Sequence, residues 1–248
     1  MIAKISADMM QDRSSLNRRG SVLLMGQSAA AEKMRRMVRM TTLTDAPVMI
    51  VTGSAVAGLD IAGAIHSRSN RAMQKFRLID CTRTQAEPNH FRALASADDG
   101  TIFIDNLARL PRSLHPFLLR LTQTGNHRII CAATKPVAYM TRECDLPPAL
   151  SSAISVLTLT VPELAERKAD IALLFEAYVH RMPKARRFTV SAAAAKILGD
   201  HDWAGGFDEL AHTVDAMGGQ FAGHQASDAQ VKAFLERRDL SPCPVATR

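Results

Sequence analysis

The sequence has few cysteines, few aromatic side chains and no long apolar run. Its four cysteines, Cys81, Cys131, Cys144 and Cys243, form no CxxC pair, and its eight histidines show no metal-ligand spacing. This pattern favours buried free thiols over a disulfide framework or a zinc site. No apolar stretch approaches the roughly 18 to 20 residues that a membrane span requires, and the first residues offer no signal-peptide core. We therefore expect a soluble cytoplasmic protein that holds no metal.

The chain is basic, with 31 lysines and arginines against 24 acidic residues and a formal net charge of +7. Such a balance can indicate a nucleic-acid partner, and much of the excess falls in residues 1–47 and 66–92. Only Tyr139, Tyr178 and Trp203 offer large rings with a polar edge, however, and none lies within those stretches. A solvated basic surface is the simpler interpretation, and direct DNA binding stays an alternative.

Short apolar runs alternate with helix-period segments through the first two-thirds of the chain, which is typical of βα units around a parallel sheet. With 248 residues, of which 47% are hydrophobic, the chain can bury a sizeable core. The predicted strands are Val48–Thr52, Phe76–Cys81, Thr101–Asp105, Arg128–Thr134 and Ser155–Thr160. The predicted helices among them are Ala29–Met40, Leu59–Ser69, Pro88–Ala97 and Pro111–Thr124.

From Glu163 onward the pattern predicts helices only. They cover Glu163–Arg181, Ser191–Leu198, Phe207–Met217 and Asp228–Arg238, with Ser191 and Asp228 as N-caps. The simplest architecture is a parallel-sheet domain followed by a small helical lid. We therefore predict a flexible tail at 1–20, an α/β core at 21–170, a helical lid at 171–240 and a second tail at 241–248.

A pair of glycines follows the first predicted strand. Gly53 and Gly58 stand at the spacing of the phosphate-binding motif G-x-x-x-x-G-K-[ST], between a strand and a helix as that motif requires. The lysine that contacts the β- and γ-phosphates is replaced by Leu59, and the hydroxyl residue that binds magnesium is replaced by Asp60, which would repel phosphate. The backbone of a phosphate loop is present without its charged chemistry, although N–H groups at a helix N-terminus can still hold an anion weakly.

A second motif closes the third predicted strand. Gly100–Asp105 is an apolar strand that ends in an acid, and Asn106 follows it. In the Walker B layout the first acid holds the metal and a second acid polarises the attacking water. An amide cannot serve as a general base, so Asn106 predicts that even a bound nucleotide would lack an activated water. Asp105 is equally compatible with a strand-end residue that caps a loop.

These and other motifs resemble, in the same order, those of the central AAA+ domain of bacterial enhancer-binding proteins, the NtrC-type activators of sigma-54 RNA polymerase. The resemblance runs from about Val22 to Met217 and implies a P-loop AAA+ fold. That fold is a three-layer α/β sandwich with a parallel five-stranded sheet, followed by a small all-helical lid. The segments that carry it are Gly26-Gln27-Ser28 (G-x-S), Ala64-Ile65-His66 (A-I-H), Gly100–Leu107 (G-T-L-F-L-D-E-I), Ala132-Ala133-Thr134 (A-A-T-N), Leu164–Ile171 (L-R-E-R-R-E-D-I) and Trp203–Leu210 (W-P-G-N-V-R-E-L).

The departures from the family pattern fall on its functional positions. Leu59 corresponds to the P-loop lysine, Asn106 to the Walker B glutamate, Lys135 to the sensor asparagine and Asp208 to the lid arginine, while Pro147 and Ala153 correspond to the arginine fingers. Only residues 82–99 separate Cys81 from Gly100, and the sigma-54-contacting G-A-F-T-G-A loop that the family places in this interval is missing. The resemblance implies a degenerate nucleotide site without ATPase activity, made of Gly53, Gly58, Leu59, Asp60, Asp105, Asn106, Lys135 and Asp208.

The sequence thus predicts a non-catalytic regulator that needs no cofactor and modulates transcription by contact with a protein partner. An AAA+ enhancer-binding activator is the natural candidate, because family members assemble as rings through surfaces that also permit self-association. One alternative is a sensor that binds ATP or ADP weakly without hydrolysing it, with Lys135 reaching a phosphate. The other is a basic DNA-binding regulator, although about 30 residues follow Gly218, enough for one helix and too few for a helix-turn-helix.

Overall fold

The computed structural model describes residues 21–82 and 99–239 and divides the chain into two compact units. The first unit includes the residues up to Leu24 together with Glu32–Pro162, and the second includes Met25–Ala31 and the residues from Glu163 onward. The predicted helix Pro88–Ala97, Cys243 and the two predicted tails lie outside the described residues. Within the described ranges, no helix has the length and apolar character needed to cross a bilayer.

The first unit is built around a parallel five-stranded sheet. The strands are β1 (Val48–Val51), β2 (Lys75–Asp80), β3 (Gly100–Asp105), β4 (His127–Ala133) and β5 (Leu157–Thr160). Their order is β2-β3-β4-β1-β5, and every pairing is parallel. The inner strands β1, β3 and β4 are covered on both faces, which explains why they appear in the sequence as nearly continuous apolar runs. All five predicted strands are confirmed, with ends displaced by one or two residues.

Helices cover both faces of the sheet and complete three layers. They are α1 (Ala29–Thr42), α2 (Ala55–Ser67), α3 (His115–Thr124), α4 (Val137–Glu143) and α5 (Pro148–Ile154). On one face α2 packs closely, since Gly58 lies against Ala132 and Phe103. On the other face, side chains of α3, α4 and α5 form a buried apolar cluster with strand residues such as Met49 and Cys131. The sequence did not predict α4 and α5, because each buries only two side chains and shows no helical period.

The second unit is mostly helical. A 3-10 segment at Leu164–Asp170 is followed by α6 (Ile171–Arg181), α7 (Ala192–Asp200), α8 (Gly206–Gln220) and α9 (Asp228–Asp239). It also contains a parallel pair of two-residue strands, β6 (Thr189–Val190) and β7 (Gln225–Ala226), in a region that the sequence predicts as helices only. Strands this short leave no alternation to detect.

Of the two predicted N-caps of this unit, one is confirmed and the other is displaced by one residue. Ser191 caps α7 as expected, because its Oγ accepts a hydrogen bond of 3.1 Å from Ala194 N. The cap of α9 is Ser227 and not Asp228. The Oγ of Ser227 accepts a hydrogen bond from Gln230 N at 3.3 Å, and the N–H of Ser227 donates to the Gln230 side chain at 2.9 Å. This reciprocal pair is a capping box, which requires a residue such as glutamine three positions after the cap.

The division between the units falls at Pro162–Glu163, whereas the sequence predicted residue 170. Asp170 explains the difference, because its buried carboxylate accepts hydrogen bonds from Gln27 N at 2.9 Å and from Ser28 N at 3.2 Å, and Arg167 Nε lies 3.2 Å away. Burial alone would raise the pKa of Asp170, but the hydrogen bonds from Ser28, Gln27 and Arg167 outweigh it and lower the pKa. The G-x-S segment is therefore held by the residues that open the second unit.

Candidate functional site

The candidate site lies at the carboxyl edge of the sheet, where open parallel α/β sheets usually bind ligands. Gly53 follows β1, Asp105 ends β3, and Lys135 comes two residues after β4. Because β3, β4 and β1 are neighbours, the structure brings these positions to one edge. Seven of the eight predicted site residues belong to the first unit, and Asp208 belongs to the second.

The phosphate-loop segment is shorter than its sequence spacing suggests. Helix α2 begins at Ala55, although the sequence predicted a start at Leu59, because Ser54 acts as an N-cap. Ser54 Oγ accepts from Ala57 N at 3.0 Å, and Ser54 O accepts from Gly58 N at 3.0 Å. The N–H of Ser54 itself donates to Thr52 Oγ1 at 3.1 Å. Three backbone N–H groups of this segment are therefore used inside the loop and the first turn of α2.

Neither glycine of the motif adopts a left-handed backbone conformation. A Cβ on Gly53 would meet nothing within 4 Å. A Cβ on Gly58 would meet the Thr52 methyl at 3.4 Å, Ala132 Cβ at 3.5 Å and the Phe103 ring at 3.7 Å, which are ordinary contacts. The local backbone therefore does not require glycine at either position.

The two substituted positions of the loop are both buried, with Leu59 6% and Asp60 3% exposed. Asp60 Oδ2 accepts a hydrogen bond from Leu23 N at 3.0 Å and another from the Ser21 hydroxyl. These bonds compensate the cost of burying a carboxylate and attach the first described residues to α2. This role of Asp60 was not predictable from the sequence, because Ser21 lies 39 residues away along the chain.

A hydrogen-bonded group joins the carboxyl ends of β2 and β3. Asn106 lies in the left-handed region, at φ 54° and ψ 44°, and its Nδ2 donates to Asp80 Oδ1 at 3.1 Å. Asn106 N donates to Asp105 Oδ1 at 2.8 Å, so Asp105 caps the loop that follows its own strand. Asp80 Oδ1 also accepts from Thr82 N at 3.0 Å. Asp80 was not among the predicted site residues, although its place at the end of a predicted strand was a usable signal.

Two described cysteines in the first unit are buried thiols. Burial, followed by the negative charges of Asp80 and Asp105, raises the pKa of Cys81 to about 12. Burial also raises the pKa of Cys131. Both side chains are therefore neutral and unreactive at physiological pH. Cys144 is a half-buried free thiol, so the expectation of free cysteines is confirmed for the three that the structure describes.

The remaining predicted site residues are exposed or half-buried and lie in a loop or near helix ends. Lys135 is exposed, and its Nζ lies 5.9 Å from the centre of the Tyr139 ring on α4, a cation–π contact. Asp208 lies in the first turn of α8, where the helix dipole favours an acid. Pro147 caps the start of α5 and Ala153 lies within it, so neither arginine-finger position carries a cation.

Comparison with known proteins identifies the family and the fold of the chain. A family model described as the sigma-54 interaction domain matches residues 25–164. The anaerobic nitric oxide reductase transcription regulator NorR of Aliivibrio fischeri is 26% identical over 227 residues, which cover 78% of this chain and 44% of NorR. The putative sigma L-dependent transcriptional regulator YplP of Bacillus subtilis is 29% identical over 206 residues, which cover 78% of this chain and 60% of YplP. The chain thus spans about half the length of these relatives.

Solved structures match the fold over most of the chain. NtrX from Brucella abortus, crystallised in complex with ATP, superposes with a TM-score of 0.68 at 22% identity, over 96% of this chain and 64% of NtrX. The RuvB branch migration motor of Thermotoga maritima gives a TM-score of 0.63 at 13% identity, over 90% of this chain and 73% of RuvB. Both likenesses support the α/β P-loop AAA+ fold. Because the family model covers more than half of the 248 residues, this chain belongs to the sigma-54 interaction domain family.

Proposed function

We propose that this chain is a non-catalytic member of its family, which modulates transcription by contact with a protein partner, foremost an AAA+ enhancer-binding activator. The observation that carries the proposal is the buried carboxylate of Asp60, which stands where the motif requires a magnesium-binding hydroxyl and is bonded to Ser21 and Leu23. The relatives are transcription regulators by name, which supports the regulatory part of the proposal.

Three changes act together against nucleotide hydrolysis. Leu59 removes a charge-assisted contact to phosphate, which is worth about 1.5–3 kcal/mol and thus roughly tenfold to hundredfold in affinity. Asp60 replaces a neutral ligand by a negative charge. Asn106 cannot take a proton from water, and its amide already donates to Asp80. Each change affects a different requirement, so a single compensating cation does not restore all of them.

The proposed mode of action rests on the ring assembly that the resemblance implies. In such a ring, each subunit contributes residues to the nucleotide site of its neighbour. A subunit of this chain brings neither a lysine at position 59 nor arginines at positions 147 and 153. Inserted into an activator ring, it lowers the hydrolysis rate at its own site and at the neighbouring one. The expected result is a graded decrease of transcription as the ratio of this chain to activator rises.

Two measurements test the proposal. Calorimetric titration with ATP and magnesium up to millimolar concentration is expected to give no saturable heat, and a micromolar Kd would favour the sensor alternative. Titration of the chain into an activator from the same cells is expected to lower the activator's ATPase rate. A matched variant, Ala153→Arg, returns a cation to α5 and is expected to relieve part of that decrease. An unchanged ATPase rate and no association would contradict contact with the activator.

A further inference from the structure

The edge of the sheet opposite the candidate site carries an apolar surface. The four most exposed large apolar side chains of the described residues are Met73 (94%), Leu43 (81%), Met40 (66%) and Val156 (58%). Single exposed apolar residues are common on soluble proteins, but these four all lie at the amino ends of strands or of the segments that lead into them. We call this group the amino-edge patch.

Backbone hydrogen bonds relate three members of the amino-edge patch to the segment that leads into β1. Leu43 N donates to Met40 O at 3.4 Å, so these two side chains share the turn that ends α1. The chain then runs to Pro47, whose carbonyl accepts from Leu157 N at 3.2 Å. Val156 therefore stands beside the segment that leads into β1.

Arg71 attaches the fourth member to the same edge. Its Nε lies 3.0 Å from Asp45 Oδ2, and its two terminal nitrogens donate to Asn126 O at 2.7 Å and Gly125 O at 3.1 Å. The turn that holds Met73 is thereby joined to the segments before β1 and before β4. The position of Met73 is thus fixed by an ordered network, although its side chain is almost fully exposed.

The patch has the length of a short helix. Met73 leads into β2 and Val156 into β5, the two outer strands of the sheet, with Leu43 near the segment before β1. Four strand spacings separate β2 from β5, which is about 19 Å. An α-helix of about 13 residues has the same length.

The charges around the patch are predominantly positive. Arg36 and Arg39 are exposed on α1, and Arg36 stands four residues before Met40, on the same face of the helix. Arg68 and Lys75 are exposed at the two ends of the segment that holds Met73. Among the described residues, the acidic side chains at this edge are Asp45, which is paired with Arg71, and Asp99.

We propose that the amino-edge patch binds an acidic amphipathic helix of a partner protein. The apolar side chains of the patch would contact the apolar face of that helix, and the surrounding basic side chains would pair with its acidic residues. A second copy of this chain is a poor occupant, because the same patch would bring cations against cations. The patch also has no aromatic side chain on which a base could stack, so nucleic acid is disfavoured. The inference deepens the proposed function, since it assigns the contact surface of the regulator.

Site-specific photocrosslinking in the native cells tests the assignment. A benzophenone amino acid replaces Met73 in the full chain, and a control chain carries it in place of Tyr139, which is 42% exposed after β4 at the opposite edge. The expected product at position 73 joins the chain to a protein segment that is acidic and has apolar residues at helical spacing. The charge reversal Arg36→Glu with Arg39→Glu is expected to reduce that product about tenfold. The matched reversal Lys184→Glu with Lys196→Glu, on exposed residues of the second unit, is expected to leave it unchanged.

Several outcomes would overturn the proposal: a product with a second copy of the chain, with nucleic acid or with a basic segment, or no product at all. Equal sensitivity to both charge reversals would also overturn it, because the effect would then be one of net charge. Circular dichroism of the charge-reversed variants is the check that they fold. A product that forms only at position 139 would leave the regulator-by-contact function standing and refute this surface as its location.

Discussion

Replacement of Asp60 by alanine is expected to destabilise the protein, because this residue supports the fold. The change removes the acceptor of the Leu23 N–H and of the Ser21 hydroxyl, in a site where Asp60 is only 3% exposed. A hydrogen bond to a charged group contributes about 1.5–3 kcal/mol, and relief of carboxylate desolvation offsets part of the loss. We expect Asp60→Ala to lower the free energy of unfolding by about 2–4 kcal/mol. Asp60→Asn keeps one acceptor oxygen and is expected to cost about half as much.

Urea unfolding followed by far-ultraviolet circular dichroism measures this effect, with the exposed Asp99→Ala as a matched control in the same unit. A double-mutant cycle with Ser21→Ala is expected to give a coupling energy of about 1–2 kcal/mol, because the two side chains are bonded directly. A loss for Asp60→Ala no larger than that of the control, with no coupling to Ser21, would refute the structural role of the carboxylate.

Three other perturbations follow from the described contacts. Burial is the main reason why the pKa of His66 falls from 6.5 to about 4. Between these pH values the unfolded state binds a proton that the folded state does not, so the free energy of unfolding should fall as pH drops from about 6.5 to 4. In urea unfolding at a series of pH values, His66→Gln should show a weaker dependence of that free energy on pH. Gly26→Ala should cost about 2–4 kcal/mol in thermal unfolding, because φ is 105° and the new Cβ would lie 2.3 Å from the Asp170 carboxyl carbon. The double variant Leu59→Lys with Asp60→Thr should have a lower free energy of unfolding than the unmodified chain. It should also release no phosphate from ATP.

The chain provides a matched control for the change at Gly26. Gly199 lies inside α7 with open space around its Cβ position, so Gly199→Ala should be neutral or stabilising. Equal effects of Gly26→Ala and Gly199→Ala, or ATP hydrolysis by the double variant, would contradict the arguments above.

The parallel sheet was predictable because its inner strands are buried on both faces. Val48–Ile50 and Ile102–Ile104 are continuous apolar runs, and such runs bounded by turns indicate central strands of a covered sheet. Short elements were not predictable in the same way. Helix α5 has seven residues, and β6 and β7 have two each, so neither periodicity nor length distinguishes them from loops.

The candidate site was predictable in its position but not in its contacts. Motif spacing places Gly53 and Asp105 at strand ends, and the rule that ligand sites form at the carboxyl edge then brings them together. The early start of α2 depends on Ser54 acting as a cap, and the partners of Asp60 depend on residues 37 to 39 positions away. Contacts between segments that are distant in the chain leave no periodic trace in a single sequence.

Asp60 and Asn106 depart from the family pattern, and both side chains are integrated into the local structure. Asn106 occupies a left-handed conformation that asparagine adopts more readily than glutamate, and its amide donates to Asp80, so a glutamate there would add strain of about 1 kcal/mol and lose that bond. Asp60 likewise holds Ser21 and Leu23 in place. Because Asp60 and Asn106 both support their surroundings, we expect the single changes Asp60→Thr and Asn106→Glu each to lower the free energy of unfolding.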